Sequence, residues 1–471
     1  MRRSPAVAVL TVLAAVAPGC SPSAPAPPPT AASGSASRSV SASGSASAVG
    51  SAPADRQAPP LARATVTVSV PGRLRQAPFD VPRRLTVPAG WTASVHARIP
   101  AARFLAWLGR DLLVSQPSTG SVLLVRRQAD GTGLVTPFLT GLRRPHDIVV
   151  VRQLTTYVYV AETHRVVRYP WRPGQLTPGA GQVVVDGLPD SSTPELGGAY
   201  GHELKNIAVA GGALYVSIAS TCNACVSDTT ATPRRGAVYR YGLAGGTGAL
   251  VATGLRNAEG LAAVPGTAAL WAVVNNRDNI AYPKHADITG DGQDDYGKVV
   301  PSYVDDHPVE PFVRVEQDRF YGWPFCNPTQ DGGGMRDLPY DRDVQLNADG
   351  QVDCAAAERI DTAIPAHSAP LGLTFLIGTS VPAALRTGAV VALHGSWNRT
   401  EPTGYKLVWF PWQADTAGGR PGDQQDLVTG WSDGSSPGAW GRPVDTAADT
   451  DGSILVSDDA SGTVYRLSPP S

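Results

Sequence analysis

In TYVYVAETHRVVRY (residues 156–169) a polar turn joins two runs of β-branched and aromatic residues, which is the pattern of a strand–turn–strand unit. Similar strand–turn–strand units are DLLVSQPSTGSVLLV (residues 111–125) and GSILVSDDASGTVYRL (residues 452–467). Three further units have longer turns and span residues 214–241, 270–315 and 389–410. Because one such unit cannot bury its faces alone, the repetition predicts a β-propeller. The units predict six blades over residues 84–468, although their uneven spacing also allows seven.

The composition supports an all-β fold. The chain has 50 Gly and 42 Pro, and these residues, with Asp and Asn, closely bound the short apolar runs. No helical pattern is longer than about two turns. The 39 basic and 40 acidic side chains nearly cancel, and no basic stretch stands out. The charge pattern therefore argues against a nucleic-acid-binding protein.

The N-terminal region predicts export. Arg2 and Arg3 precede an apolar run over residues 6–17, which is too short to span a membrane, and residues 1–20 therefore read as a signal peptide. Cys20 follows Gly19 and resembles the lipidation site of a lipoprotein, with simple secretion as the alternative. Residues 21–60 are mostly Ser, Ala, Pro and Gly and predict a disordered linker. We therefore expect a lipid-anchored protein on the extracytoplasmic face of the membrane.

Four cysteines remain after Cys20. In an exported protein this even number predicts two disulfides, with Cys222 paired to Cys225 and Cys326 paired to Cys354. A four-cysteine zinc site and a redox-active Cys222–Cys225 pair are the alternatives.

Polar motifs at predicted strand ends are the candidate functional residues. His202, in GHELKNIA (residues 201–208), is a candidate general base, because its ordinary pKa suits proton abstraction near neutral pH. Arg256 and Asn257, in GLRNAEGL (residues 254–261), form a fork suited to carboxylate or quinone oxygens. Similar positions are occupied by HGSWNR (residues 394–399), followed by Lys406, and by GRPVD (residues 441–445). Basic groups from different blades would meet at one mouth and bind an anion there.

A possible calcium loop lies at DITGDGQDD (residues 287–295). Asp287, Asp291 and Asp295 alternate with other residues, and Gly292 allows a sharp turn. Lys298 stands where a calcium loop would have its last glutamate, so a plain acidic surface loop is the alternative.

Together with CNAC (residues 222–225) and YGWPFC (residues 321–326), these motifs resemble the glucose/sorbosone dehydrogenase family, and its L-sorbosone dehydrogenase-like branch in particular. The resemblance covers residues 84–468 and implies a secreted six-bladed propeller that oxidises a sugar or sugar aldehyde with pyrroloquinoline quinone (PQQ) and calcium. It implies that His202 is the base and that Arg256, Asn257 and Arg442 hold the quinone. Arg399 or Lys406 would fill the family's lysine role. The soluble glucose dehydrogenases carry a cofactor-binding Gln where this chain has LRRPHD (residues 142–147).

Two other functions fit a propeller. A lactonase-like hydrolase would need carboxylates and amides around a metal, whereas these strand ends are mostly basic. A non-catalytic binding propeller could use Trp397 and Trp440. No Cys-x-x-Cys-His haem motif is present, so a dehydrogenase would need a separate electron acceptor. The sequence does not indicate which sugar is the substrate.

Overall fold

A computed structural model describes residues 58–330, 334–434 and 438–470. The predicted signal peptide, Cys20 and nearly all of the predicted linker lie outside these described residues. The last linker residues are described and are held in place, because Gln425 Nε2 donates to the carbonyls of Ala58 and Pro59 at 3.2 and 3.3 Å. Ala58 and Pro59, which the sequence assigns to the linker, therefore contact blade 5.

The strands form a two-stranded N-terminal ribbon and six blades, each a four- or five-stranded sheet. The ribbon and the strand after it are β1 (Arg63–Thr67), β2 (Arg84–Pro88) and β3 (Thr92–Arg98). Blade 1 contains β4 (Leu105–Leu108), β5 (Asp111–Gln116), β6 (Ser121–Arg127) and β7 (Gly133–Leu139). Blade 2 contains β8 (Ile148–Arg152), β9 (Thr156–Ala161), β10 (Val166–Trp171) and β11 (Gln182–Val185). Blade 3 contains β12 (Asn206–Ala210), β13 (Ala213–Ile218), β14 (Ala237–Gly242) and β15 (Gly245–Thr253).

The later blades carry extra short strands. Blade 4 contains β16 (Asn257–Ala263), β17 (Leu270–Asn275) and β18 (Glu310–Arg314), followed along the chain by β19 (Arg319–Phe320), which joins blade 3. Next come β20 (Cys326–Pro328), β21 (Arg336–Leu338), β22 (Tyr340–Arg342) and β23 (Ile360–Ile364). Of these, β21 and β23 complete blade 4, and β20 pairs with β22. Blade 5 contains β24 (Pro370–Phe375), β25 (Gly388–Leu393), β26 (Lys406–Gln413), β27 (Arg420–Pro421) and β28 (Gln425–Val428). Blade 6 contains β29 (Pro443–Ala448), β30 (Ile454–Asp458) and β31 (Thr463–Ser468), and takes β3 as its outer strand.

The repeat that predicted the fold is the central strand pair of each blade. Residues 156–169 form β9 and β10, and the other five units form the second and third strands of their own blades. The prediction of a six-bladed, all-β propeller is confirmed. The helices in the described residues are single turns: α1 (Pro301–Val304) and 3-10 turns at 72–74, 117–119, 194–196, 226–229 and 354–356. Every helix in the described residues is too short to span a membrane.

The ring closes through both ends of the folded chain. The N-terminal β3 pairs with the C-terminal β31, with Thr92 opposite Ser468 and Arg98 opposite Thr463. The innermost strands β4, β8, β12, β16, β24 and β29 contact one another in a complete circle. They surround a central cavity of about 410 Å³.

Apolar residues fill the space between blades, and two buried carboxylates add a specific link. Asp147 accepts a hydrogen bond from Ile207 N, and Asp445 accepts one from Leu105 N, each at 2.9 Å. In both cases the acceptor lies near the start of one inner strand and the donor lies on the next inner strand. The carboxylates therefore join blade 2 to blade 3 and blade 6 to blade 1.

Candidate active site

The mouth of the propeller is the end of the central channel at which the six inner strands begin. The turns between second and third strands open toward this end, because the second strand runs back from the opposite face. The two longest of these turns, residues 219–236 in blade 3 and 276–309 in blade 4, therefore lie at the mouth. His202 and Arg256 lie at the same end, ahead of β12 and at the start of β16.

The imidazole ring of His202 is held in place by hydrogen bonds at Nδ1. Its Nδ1 lies 3.0 Å from both the carbonyl and the hydroxyl oxygen of Ser220. A carbonyl can only accept, so Nδ1 carries the hydrogen and Nε2 keeps its lone pair. Burial, and then the charge of Arg256, lowers the pKa of His202. The geometry and the charges thus favour a neutral imidazole that can accept a proton at Nε2.

Arg256 is buried and bound on several sides. Its Nε donates to the carbonyl of Asn223 and its Nη2 donates to the side chain of Asn223, both at 3.1 Å. Nη2 also lies 3.2 Å from Asp278 Oδ2. The other oxygen of Asp278 lies 3.6 Å from Nδ1 of His367. The guanidinium is therefore held in one orientation next to His202, with Asp278 as a shared counter-ion.

Glu259 connects this region to blade 2. Its carboxylate lies 2.9 Å from Nε2 of His146 and accepts a 3.3 Å hydrogen bond from Asn257. Burial alone would raise the pKa of Glu259, but His146 and then Arg103 outweigh burial and lower the pKa to about 2. A carboxylate thus persists at the mouth, and Asn257 is engaged with it.

The opposite part of the mouth contains a second charged cluster. Asp459 bridges Nη1 of Arg103 and Nε2 of His394, both at 2.8 Å. Arg442 lies beside it, because its Nε donates to the carbonyl of His394 at 3.0 Å. The guanidinium of Arg442 also lies over the ring of Tyr405. Arg103 of this second cluster also contributes to the lowered pKa of Glu259, so the two clusters influence each other electrostatically.

The structure does not bring Arg399 or Lys406 to these clusters. Arg399 binds the backbone of Asp305 and the carboxylate of Asp306, outside the charged groups described above. Lys406 Nζ lies 2.7 Å from Asp426, on the outer strand β28. Asp426 also faces Arg63 of the ribbon. Lys406 does not join the clusters because its Nζ is bound by Asp426 of its own sheet.

The predicted calcium loop does not form a ligand cage. Asp287 accepts from Gly290 N and Gly292 N, and Asp295 accepts from Ile288 N and Thr289 N. Lys298 pairs with Asp295 at 3.0 Å, while Asp291 binds Gln293 N. Within the described residues, no group of three or more His, Cys, Asp or Glu side chains could hold a metal. The carboxylates instead cap the loop's own backbone.

Both disulfide predictions are confirmed. Cys222 is bonded to Cys225 and Cys326 is bonded to Cys354. The alternative zinc site is thereby overturned, because disulfide sulfurs cannot act as thiolate ligands.

The mouth fits an anionic ligand by its donors. Nε of Arg103 and Nδ2 of Asn206 are buried at the starts of β4 and β12 without a hydrogen-bond partner in the described residues. Lys205, also buried, has a pKa that burial lowers to about 7, and its Nζ donates to the carbonyl of Glu203.

Sequence reasoning missed Arg103, Lys205, Glu259 and Asp278. Aligning the six inner-strand starts would have found Arg103 and Lys205, since they precede β4 and β12 as Arg256 precedes β16.

Comparison with known proteins places this chain in a family. The family model described as TrAA12-like matches residues 85–469. The chain belongs to the TrAA12-like family. A PQQ-dependent pyranose dehydrogenase from Coprinopsis cinerea is 32% identical over 174 residues, covering 32% of this chain and 23% of that protein. An uncharacterized protein of Borreliella burgdorferi is 36% identical over 104 residues, or 22% of this chain and 27% of that protein. The chain thus spans about a quarter of the length of these curated relatives.

Solved structures share the fold of this TrAA12-like chain. The holo form of the pyranose dehydrogenase PQQ domain from C. cinerea aligns with a TM-score of 0.68 and 19% identity, covering 86% of this chain and 100% of that one. The calcium structure of a Trichoderma reesei protein of carbohydrate-active enzyme family AA12 aligns with a TM-score of 0.65 and 19% identity. The alignment covers 82% of this chain and 96% of that one. The resemblance that the motifs predicted is confirmed by the family match.

Proposed function

We propose that this protein is a PQQ-dependent dehydrogenase that oxidises the hydroxyl or aldehyde group of a sugar. The proposal rests mainly on the state of His202 in a TrAA12-like chain. Its pKa is lowered by burial and by Arg256, and its Nδ1 donates to Ser220, which leaves Nε2 able to accept a proton beside a fixed guanidinium. The pyranose dehydrogenase relatives support a sugar as the substrate class.

The chain's residues would divide the work as follows. Bound PQQ would supply the hydride acceptor, and its carboxylates would pair with the guanidinium groups of Arg256, Arg103 and Arg442. His202 Nε2 would take the proton from the substrate hydroxyl, and Ser220 would hold the ring in the required tautomer. Arg256 would also keep His202 neutral before the substrate binds. Asn257, at the start of the same strand, would also hold the quinone.

Calcium belongs to the proposal only as a partner of the quinone. The support for it is the calcium structure of the T. reesei AA12 protein, whose fold this chain shares. In this chain the loop of Asp287, Asp291 and Asp295 is not proposed as its site. A calcium requirement would be tested by titrating the quinone into protein treated with a chelator, with and without added Ca²⁺. Equal quinone affinity in both samples would remove calcium from the proposal.

Export and electron transfer complete the proposal. The two disulfides are typical of proteins outside the reducing cytoplasm. We propose a lipid anchor at Cys20 and a separate electron acceptor. Cys20→Ser should move the protein from the membrane fraction to the medium, and unchanged fractionation would contradict the anchor.

The decisive test of the enzyme is His202→Ala in protein loaded with PQQ and assayed with sugars and an artificial dye. Loss of a positioned base should lower turnover about 100- to 10,000-fold, while quinone uptake, measured by absorbance, should persist. His285→Ala is the matched control, because His285 is exposed and pairs with Asp294 on the surface. Unchanged turnover in His202→Ala would remove His202 as the base. Absence of any quinone uptake by the wild-type protein would favour the binding propeller instead.

A further inference from the structure

The short loop Cys222–Cys225 lies against the mouth, and its Asn223 has an unusual number of polar contacts. The side chain of Asn223 exchanges two hydrogen bonds with the backbone of Asp278, each at 2.8 Å. Its carbonyl accepts from Arg256 Nε and from Trp323 Nε1 at 3.1 and 3.0 Å. Its side-chain oxygen also accepts from Arg256 Nη2. Asn223 thus fixes Arg256 and the residue that serves as the counter-ion of Arg256.

The same segment also holds His202. Ser220 N donates to the carbonyl of Arg256 at 2.8 Å, and Gly201 N donates to the carbonyl of Thr221 at 2.8 Å. Ser220 also accepts from Nδ1 of His202. Residues 220–223 therefore touch both the candidate base and the candidate cofactor arginine.

The disulfide restricts this segment where secondary structure does not. β13 ends at Ile218, and residues 219–225 lie outside strands and helices. Asn223 is half-buried between two cysteines that are bonded to each other. A covalent link across four residues limits the backbone conformations open to Asn223.

We propose that the Cys222–Cys225 loop is the positioning device of the mouth, in which Asn223 holds the guanidinium of Arg256 in place for an anionic quinone and against His202. Asn223 is a positioning residue and does not itself react. This inference rests on the proposed function for its ligand, but the arrangement of Arg256 and His202 can be tested without the quinone.

Asn223→Ala is the main test, and Asn347→Ala is its matched control. Asn347 also exchanges two side-chain hydrogen bonds with one backbone unit, that of Val352, and it lies inside the other disulfide loop. In each protein, quinone affinity is measured by fluorescence quenching, and the His202 ring is titrated by NMR in quinone-free protein. Thermal unfolding of the quinone-free protein is the stability readout.

In Asn223→Ala we expect quinone binding about tenfold weaker, since Arg256 loses its hydrogen bond to the Asn223 side chain and the backbone of Asp278 loses two. We also expect His202 to titrate at higher pH, because the charge of Arg256 lowers the pKa of His202, second to burial. Asn347→Ala should lower the melting temperature and leave both mouth readouts unchanged. Two unchanged mouth readouts in Asn223→Ala, or equal changes in Asn347→Ala, would overturn the inference.

A second pair of variants covers the case in which Asn223→Ala does not fold. Cys222→Ala/Cys225→Ala should change the mouth readouts in the same direction, and Cys326→Ala/Cys354→Ala should change only thermal stability. The reverse pattern would overturn the inference. If wild-type protein takes up no quinone, the proposed function fails, and the titration of His202 still decides whether Asn223 positions Arg256.

Discussion

Two disulfide loops of this propeller have similar parts and different surroundings. Each contacts a buried arginine that is paired with an aspartate. Arg256 pairs with Asp278 near Cys222–Cys225, and Arg277, from the long turn 276–309, pairs with Asp343 of the Cys326–Cys354 loop. The side chain of Asp278 is 23% exposed and also faces His367, whereas that of Asp343 is 1% exposed. The first pair is therefore open to a ligand, and the second is closed.

This difference predicts which of the two loops affects ligand binding and which affects the stability of the fold. Asp343 accepts from Arg277, from Asn327 Nδ2 and from the backbone N–H groups of Gln345 and Leu346, so its partners in the described residues lie within the fold. Asp278 contacts both Arg256 and His367 at the edge of the mouth. We therefore expect changes at the Cys326–Cys354 loop to act on unfolding and changes at the Cys222–Cys225 loop to act on the ligand.

The largest expected effect on stability is that of Arg277→Met. Removing Arg277 leaves the buried carboxylate of Asp343 without its positive partner, which should cost about 3–5 kcal/mol in the free energy of unfolding. Urea denaturation of quinone-free protein measures this loss. Quinone affinity of the folded fraction should stay within about threefold of wild type, a shift of well under 1.4 kcal/mol.

Arg256→Met is the control for this prediction. Its stability loss should be smaller, because Asp278 keeps His367 and some contact with water, but quinone binding should fall more than in Arg277→Met. If both variants lost the same stability and the same affinity, the two loops would not differ in function.

The buried carboxylate of Asp445 extends the comparison, because it forms no ion pair within the described part of the chain. Burial raises the pKa of Asp445 to about 7, well above its ordinary 3.8. Because its pKa is higher in the folded state than in the unfolded state, Asp445 contributes its full stabilisation at pH values below the unfolded-state pKa. This contribution is lost as the pH rises through about 7. Asp445→Asn keeps an oxygen for Leu105 N and has no proton to lose.

We therefore expect Asp445→Asn to gain stability relative to wild type between pH 4 and pH 8. The gain should be at least about 1.4 kcal/mol, the equivalent of one pKa unit. Denaturation midpoints of both proteins across this pH range measure it. Parallel pH profiles for wild type and variant would show that Asp445 is ionised in the fold at no cost.

The sequence predicted the blades well because their signal is local. Alternating β-branched residues and turn residues in each unit are enough to define two strands, and six units define the ring. The disulfide pairs followed from their spacing in the same way. His202 and Arg256 were predicted from motifs at strand starts, and the structure places both at the mouth.

The partners of these residues could not be predicted because they come from other blades or from irregular turns. Asn223 and Asp278 lie in the two long turns, whose course depends on tertiary contacts. Glu259 lies two residues after Asn257 on one strand, so alternation could have placed both on one face. The side chain of Lys406 could not be placed, because its direction depends on Asp426, which lies 20 positions further along the chain.

Lys406→Met should have the smallest effect and gives the sharpest test of this last point. Lys406 pairs with Asp426 at a half-exposed position on blade 5, and such pairs contribute about 0–1 kcal/mol. We expect the free energy of unfolding to change by no more than about 1 kcal/mol and quinone affinity to stay within about threefold. The resemblance to quinone dehydrogenases implies the opposite, a basic contact with the cofactor. Fluorescence titration with PQQ separates the two, because a loss of about tenfold or more would mean that Lys406 leaves Asp426 to bind the quinone.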